Sequence, residues 1–195
     1  WNLYDIAALY YNKRDYAHAL EMFNAFILIP SLPFMAEEKL PVDNTAKYYA
    51  AISSRNIEDH NTAIKYFSEV KNDTLNTNYV YQCLATEYLA KKDSVSYLNT
   101  LKEGFTKFKE GWYLDNIINH YIFQEKYSEA VNYLDNAIAQ APDSADYQAT
   151  KGVIEDRLGN TDIAKTAFEK ALQLNPKSFK ANYGLASMIY NKAYK

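Results

Sequence analysis

The chain has 195 residues, a formal net charge of −3 and 48% hydrophobic residues, enough apolar material for a continuous core. Five glycines and five prolines exclude both a turn-rich β protein and a disordered chain, and a pI near 5.7 excludes the basic footprint of nucleic-acid binding. The single cysteine, Cys83, rules out an intrachain disulfide or a cysteine zinc cluster, and no apolar run reaches the roughly 18 residues a membrane-spanning helix needs.

The periodicity predicts helices nearly throughout, in pairs. The first pair is expected at about 1–30. Leu3, Ile6, Ala7 and Tyr10 share one face of its first helix, Arg14 and Asp15 mark the turn, and Ala19 and Phe23 hold a small and a large slot on its second helix. Pro30, Pro33 and Pro41 then break helical continuity and predict a long connection at 31–44. Leu32, Phe34 and Met35 within it are apolar, so it is read as a loop folded back on the array, with a partner-binding loop as the sharper alternative.

The second pair, 45–71, carries a weaker copy of the first-helix pattern in Lys47, Ala50, Ala51 and Ser54, followed by Ala63 and Phe67. The third, 78–109, repeats it in Tyr81, Leu84, Ala85 and Tyr88, turns at Lys92-Asp93 and continues with Tyr97 and Leu101. The fourth, 111–142, shows Leu114, Ile117, Ile118 and Tyr121, a turn at Glu125-Lys126, then Ala130, Leu134, Ala137 and Pro142. In the fifth, 145–176, Ser144 supplies the cap. Gln148, Lys151, Gly152 and Glu155 depart from the pattern, so Tyr147, Ile154 and Leu158 are expected to carry the buried face. Gly159 suits a left-handed turn residue before Ala164, Phe168, Ala171 and Pro176. An unpaired helix is expected at 179–194, where Leu185, Ala186 and Ile189 would leave an apolar face open.

The small-residue slots Ala63, Tyr97, Ala130 and Ala164 are spaced 34, 33 and 34 apart, and only the step from Ala19 to Ala63 is longer, at 44. A fixed period of this length is the mark of stacked supersecondary units. Gly152, Ala164, Phe168, Ala171 and Pro176, with looser matches at Ala85, Tyr88, Leu101 and Gly104, resemble the tetratricopeptide repeat. The resemblance implies an all-α fold, an α-α superhelix of the TPR type in a single domain over 1–195. That fold is a right-handed solenoid of about five antiparallel helix pairs plus one terminal helix, with the first helices lining a groove. It also implies a non-enzymatic protein-interaction scaffold, here of bacterial type, that takes a peptide or partner protein and no cofactor. Some members clamp a terminal carboxylate with Lys, Asn and Arg. The matching slots here hold Asp115, Asn119, Thr150, Lys180 and Gly184, so an acid and a glycine stand where cations belong and argue against that clamp.

Within the expected groove, Tyr48, Tyr49, Arg55, Gln82, Trp112, Asn116 and Asn119 are the candidate binding residues. Asparagine and glutamine amides offer both donor and acceptor to a peptide backbone, and Tyr and Trp offer rigid contact area with a polar tip. The nineteen tyrosines leave a second reading open, a cell-envelope protein that binds or helps take up glycans. Enzymatic chemistry finds little support. His18, His60 and His120 show no metal-ligand spacing, and Cys83 reads as an inert half-buried thiol. The triplets Asp73-Thr74-Leu75, Asp93-Ser94-Val95 and Asp143-Ser144-Ala145 resemble a periplasmic O-glycosylation motif. They read first as helix caps and tilt the expected compartment only slightly toward the bacterial envelope. The start at Trp1 and the apolar last helix are those expected of a fragment of a longer chain, or of a face that docks on a partner or a second copy.

Overall fold

The computed structural model describes residues 2–32, 43–73 and 77–193. Among them are eleven α-helices: α1 (Leu3–Asn12), α2 (Tyr16–Leu28), α3 (Asn44–Asn56), α4 (His60–Val70), α5 (Thr77–Ala90), α6 (Ser94–Phe108), α7 (Gly111–Phe123), α8 (Tyr127–Gln140), α9 (Ala145–Arg157), α10 (Thr161–Leu174) and α11 (Phe179–Ala193). A single 3-10 turn, Ile29–Ser31, follows α2. No helix among the described residues is long and apolar enough to cross a membrane. Phe34 and Met35, and with them the two readings of the 31–44 connection, lie outside the described residues, as do Thr74 and Leu75.

The helices fall into two compact units, Trp1–Phe108 and Lys109–Lys195. Unit 1 stacks the pairs α1/α2, α3/α4 and α5/α6; unit 2 stacks α7/α8 and α9/α10 and ends on α11, which packs on both α9 and α10. The small slots Ala19, Ala63, Tyr97, Ala130 and Ala164 and the large slots Phe23, Phe67, Leu101, Leu134 and Phe168 are all buried. The alanine slots leave room for close helix approach, Tyr97 takes that position in the third pair, and the large slots fill the core.

Every pair closes through a turn of the same design. The second residue of the turn is left-handed: Arg14, Glu58, Lys92 and Glu125 at φ between 57° and 61°, and Gly159 at 80°. The third residue turns its N–H back onto a carbonyl five positions earlier: Asp15 to Tyr10, Asp59 to Ser54, Asp93 to Tyr88, Lys126 to Tyr121 and Asn160 to Glu155, at 2.8–3.0 Å. This is the Schellman bond that satisfies an end carbonyl of the first helix. Where the third residue is aspartate, its carboxylate also caps the second helix. Asp59 accepts from Thr62 N and Asp93 from Ser96 N. One residue thus ends one helix and starts the next. The Glu58-Asp59 turn, not among those expected from the sequence, belongs to the same set.

Two details differ from the sequence expectation. In α9 the buried face is Gln148, Ala149, Gly152, Ile154 and Glu155, while Tyr147 is half-buried and Leu158 is 38% exposed. The reason is Phe168 of α10, whose ring lies against Gly152 and leaves no room for a larger side chain there. In α11, Leu185 packs inward with Met188 against Ala149, Phe168 and Ala181. The exposed apolar face is therefore made by Phe179, Tyr183, Ile189 and Tyr190, with the rings of Phe179 and Tyr183 stacked at 6.0 Å.

Candidate functional site

The sequence-predicted residues divide between the units. In unit 1, Tyr49 stacks on Phe23 (6.0 Å between ring centres) and meets Tyr11 edge-on (5.0 Å), and Tyr48 meets Tyr49 edge-on at 5.4 Å. These rings pack α3 against α1 and α2, so Tyr49 belongs to the core rather than to a free surface. Arg55 is likewise engaged. Its Nε lies 3.2 Å from Glu87 Oε1, and its guanidinium donates to Cys83 Sγ at 2.9 Å and Tyr79 Oη at 3.3 Å. Glu87, whose side chain is only 4% exposed, takes a second partner in His60 Nδ1 at 2.7 Å. The pair and its hydrogen bonds tie α3, α4 and α5 together. Burial pushes the Cys83 thiol up despite the arginine beside it, the opposite of what an activated nucleophile needs. Gln82, on the same helix, is half-buried.

In unit 2, Trp112 meets Tyr113 edge-on at 5.1 Å, and Asn116 donates its amide to the Trp112 carbonyl at 2.7 Å, within α7 itself. Asn119 is placed differently. It lines a cleft of about 580 Å³ enclosed by α7, α9 and α11, the first helices of unit 2. The floor is apolar, from Ile118, Ile122, Leu134, Val153 and Ile154; the rim is polar, from Asp115, Asn119, Asp146, Tyr147, Thr150, Arg157 and Lys180.

The rim is already ordered before anything binds. Lys180 Nζ reaches Asp146 Oδ1 and Thr150 Oγ1, each at 2.8 Å, and so joins α11 to α9. Arg157 donates to the Tyr127 hydroxyl at 3.0 Å and covers its ring. Tyr147 hydrogen-bonds Asp115 across α9 and α7; burial first, then that bond, push its phenol up to about 12. The two acids and two cations of the rim balance. Asp115 occupies a slot that the carboxylate clamp fills with lysine, and Lys180 is held by Asp146, in agreement with the sequence argument against that clamp.

Asp146, Thr150, Lys180 and Arg157 were absent from the sequence-predicted set. The signal for three of them was the period itself. Lys180 and Asp146 are 34 residues apart, and the same step back from Asp146 reaches Trp112, while Thr150 stands one period after Asn116. Aromatic and amide character drew attention to Trp112 and Asn116, whereas the slots they occupy line the cleft one repeat later.

Models of the tetratricopeptide repeat match residues 116–160 and 145–178, which hold all of the cleft's lining except Asp115 and Lys180. Over residues 116–178 the chain matches tetratricopeptide-repeat models, and the fold of the whole chain is that of tetratricopeptide-repeat structures. Among solved structures it is similar to YrrB, a TPR protein with an unusual peptide-binding site, at 17% identity and a TM-score of 0.60 over 94% of this chain and 90% of that one. It is similar to MamA of Desulfovibrio magneticus RS-1 at 16% identity and a TM-score of 0.56, over 91% of this chain and 95% of that one. The first TPR of Spaghetti (RPAP3), bound to the HSP90 peptide SRMEEVD, matches 60% of this chain and 93% of its own at 18% identity and a TM-score of 0.52. At such identities the likeness is one of fold. No curated protein matches the chain. The helix pairs thus present first-helix side chains in register, and the cleft of unit 2 is where that register makes a concavity.

Proposed function

We propose that this protein is a non-enzymatic scaffold that binds an extended peptide segment of a partner protein in the unit 2 cleft. The observation that carries the reading is the cleft itself, with an apolar floor under a rim of hydrogen-bonding side chains supplied by three successive first helices. Apolar pockets give affinity for side chains, and the amide of Asn119 and the hydroxyl of Thr150 give pairing to a backbone of any sequence. The rim is held by its own bonds, so little ordering is needed on binding. YrrB and the Spaghetti repeat, which share the fold, are peptide binders, and that supports the same use here.

The reading is tested by screening the chain against an immobilised peptide array and repeating the screen with Asn119→Ala combined with Thr150→Ala. Captured peptides are expected to lose most of their signal while helical content by circular dichroism stays unchanged. Undiminished capture by the double variant overturns the assignment.

A further inference from the structure

Unit 2 has a second concavity, of about 440 Å³, which shares no lining residue with the cleft. It runs along α10, with Ile138 of α8 and Gln148 of α9 forming its other wall. Its most telling occupant is Gln148. The residue is 4% exposed, it lines the groove, and its side-chain amide makes no hydrogen bond among the described residues. The fully buried unpaired side-chain atom among the described residues is Ser53 Oγ; the Gln148 amide keeps a small accessible area, so a partner group lying in the groove can reach it. Having both a donor and an acceptor, that amide matches one peptide unit of an extended backbone.

The walls say what else that segment carries. Asp162 and Lys170 both line the groove, and neither makes an ion pair among the described residues, whereas Lys151 beside them is neutralised by Asp135 at 2.6 Å. Eight residues of α10 separate the two free charges, about 12 Å along the helix, which is the span of about four extended residues. Between them, Ile163 is 49% exposed and Ala167 leaves a hollow beside it, with Ile138 across the groove.

We propose that this groove is a second peptide site, which takes a segment of four extended residues with a basic side chain at one end, apolar ones between and an acidic side chain at the other. The basic end sits on Asp162, the acidic end on Lys170, and Gln148 pairs with the backbone beside the acidic end.

The test uses the full chain, 15N-labelled, titrated to millimolar with Ac-Lys-Leu-Leu-Glu-NH2 and with its reversal, Ac-Glu-Leu-Leu-Lys-NH2. One of the two is expected to move the Gln148 side-chain amide resonance saturably. Lys170→Glu should weaken that peptide by about fivefold to tenfold, the loss of one attraction and gain of one repulsion at a groove rim. The exchanged double variant Asp162→Lys/Lys170→Glu should then prefer the other peptide. Asn119→Ala should leave all of this unchanged, which separates the groove from the cleft. A Gln148 amide that neither peptide moves, or a response that Lys170→Glu leaves undiminished, overturns the proposal.

Discussion

Phe168 and Gly152 touch so closely that a Cβ on Gly152 would stand 2.5 Å from Phe168 Cδ1. Toward the tip of the same ring, a Cβ on Gly184 would stand 2.3 Å from Cζ. One aromatic side chain of α10 is thus seated against glycines of α9 and α11, and the two first helices meet at it. Either Gly→Ala change would gain about 1 kcal/mol of helix propensity at an open site. Here overpacking of about 1–3 kcal/mol wins, so Gly152→Ala and Gly184→Ala are each expected to lower the urea midpoint of unfolding. Pairing Gly152→Ala with Phe168→Leu should recover part of the loss. An unaltered midpoint in both single variants would mean that the ring is free to move aside.

The five intra-pair turns make opposite predictions for two left-handed residues. Gly159 sits at φ 80° with nothing within 4 Å of where a Cβ would stand, so Gly159→Ala introduces only backbone strain, about 1–2 kcal/mol. Lys92 at φ 59° already bears that strain, and Lys92→Gly relieves it, offset by about 0.5–1 kcal/mol from the more flexible unfolded chain. Thermal unfolding should therefore show Gly159→Ala destabilised and Lys92→Gly equal to or slightly more stable than the parent.

The core was legible in the sequence because it is periodic: Ala130 with Leu134 and Ala164 with Phe168 state the small-then-large code plainly, and all four are buried. The α9 face was not, because its burial is set by a neighbour. Gly152 is buried under Phe168, and Leu158, which reads as core by spacing, lies at the helix end beyond that ring. The cleft was half legible. Asn119 was found by its chemistry, whereas Lys180 and Asp146 look like ordinary surface charges until the fold places them 2.8 Å apart across two helices. Arg55 shows the converse. Its charge and predicted position suggest a ligand contact, yet its partner is Glu87, 32 residues along the chain and invisible to local spacing.

The aspartate caps give the fold a pH dependence at the acid end. Hydrogen bonding to Thr62 holds the Asp59 carboxyl below its ordinary value of 3.8, and the backbone N–H of Ser96 does the same for Asp93. A lowered folded value means stability that is present above pH 3.8 and lost as the pH falls through the folded value. Asp59→Asn and Asp93→Asn keep an acceptor but lose the charge. Their urea midpoints are expected to lie below the parent's near neutrality and to converge with it in strong acid. A constant gap across the titration would assign the difference to packing rather than to the carboxylates.

The Arg55–Glu87–His60 cluster predicts a stability defect where a groove residue would give only a binding defect. With Glu87 buried and 3.2 Å from Arg55 Nε, Arg55→Ala strands a carboxylate in the interior of unit 1. Breaking a fully buried pair costs about 3–5 kcal/mol. Arg55 and His60 each stay 35% exposed, so water and the surviving histidine soften the loss to roughly 2 kcal/mol. Removing both charges, as Arg55→Met with Glu87→Leu, leaves no stranded ion and should recover most of it. Denaturant titration of the three variants decides the matter: a parent-like Arg55→Ala would return that residue to the binding surface, while rescue by the double variant fixes its role as the partner of Glu87.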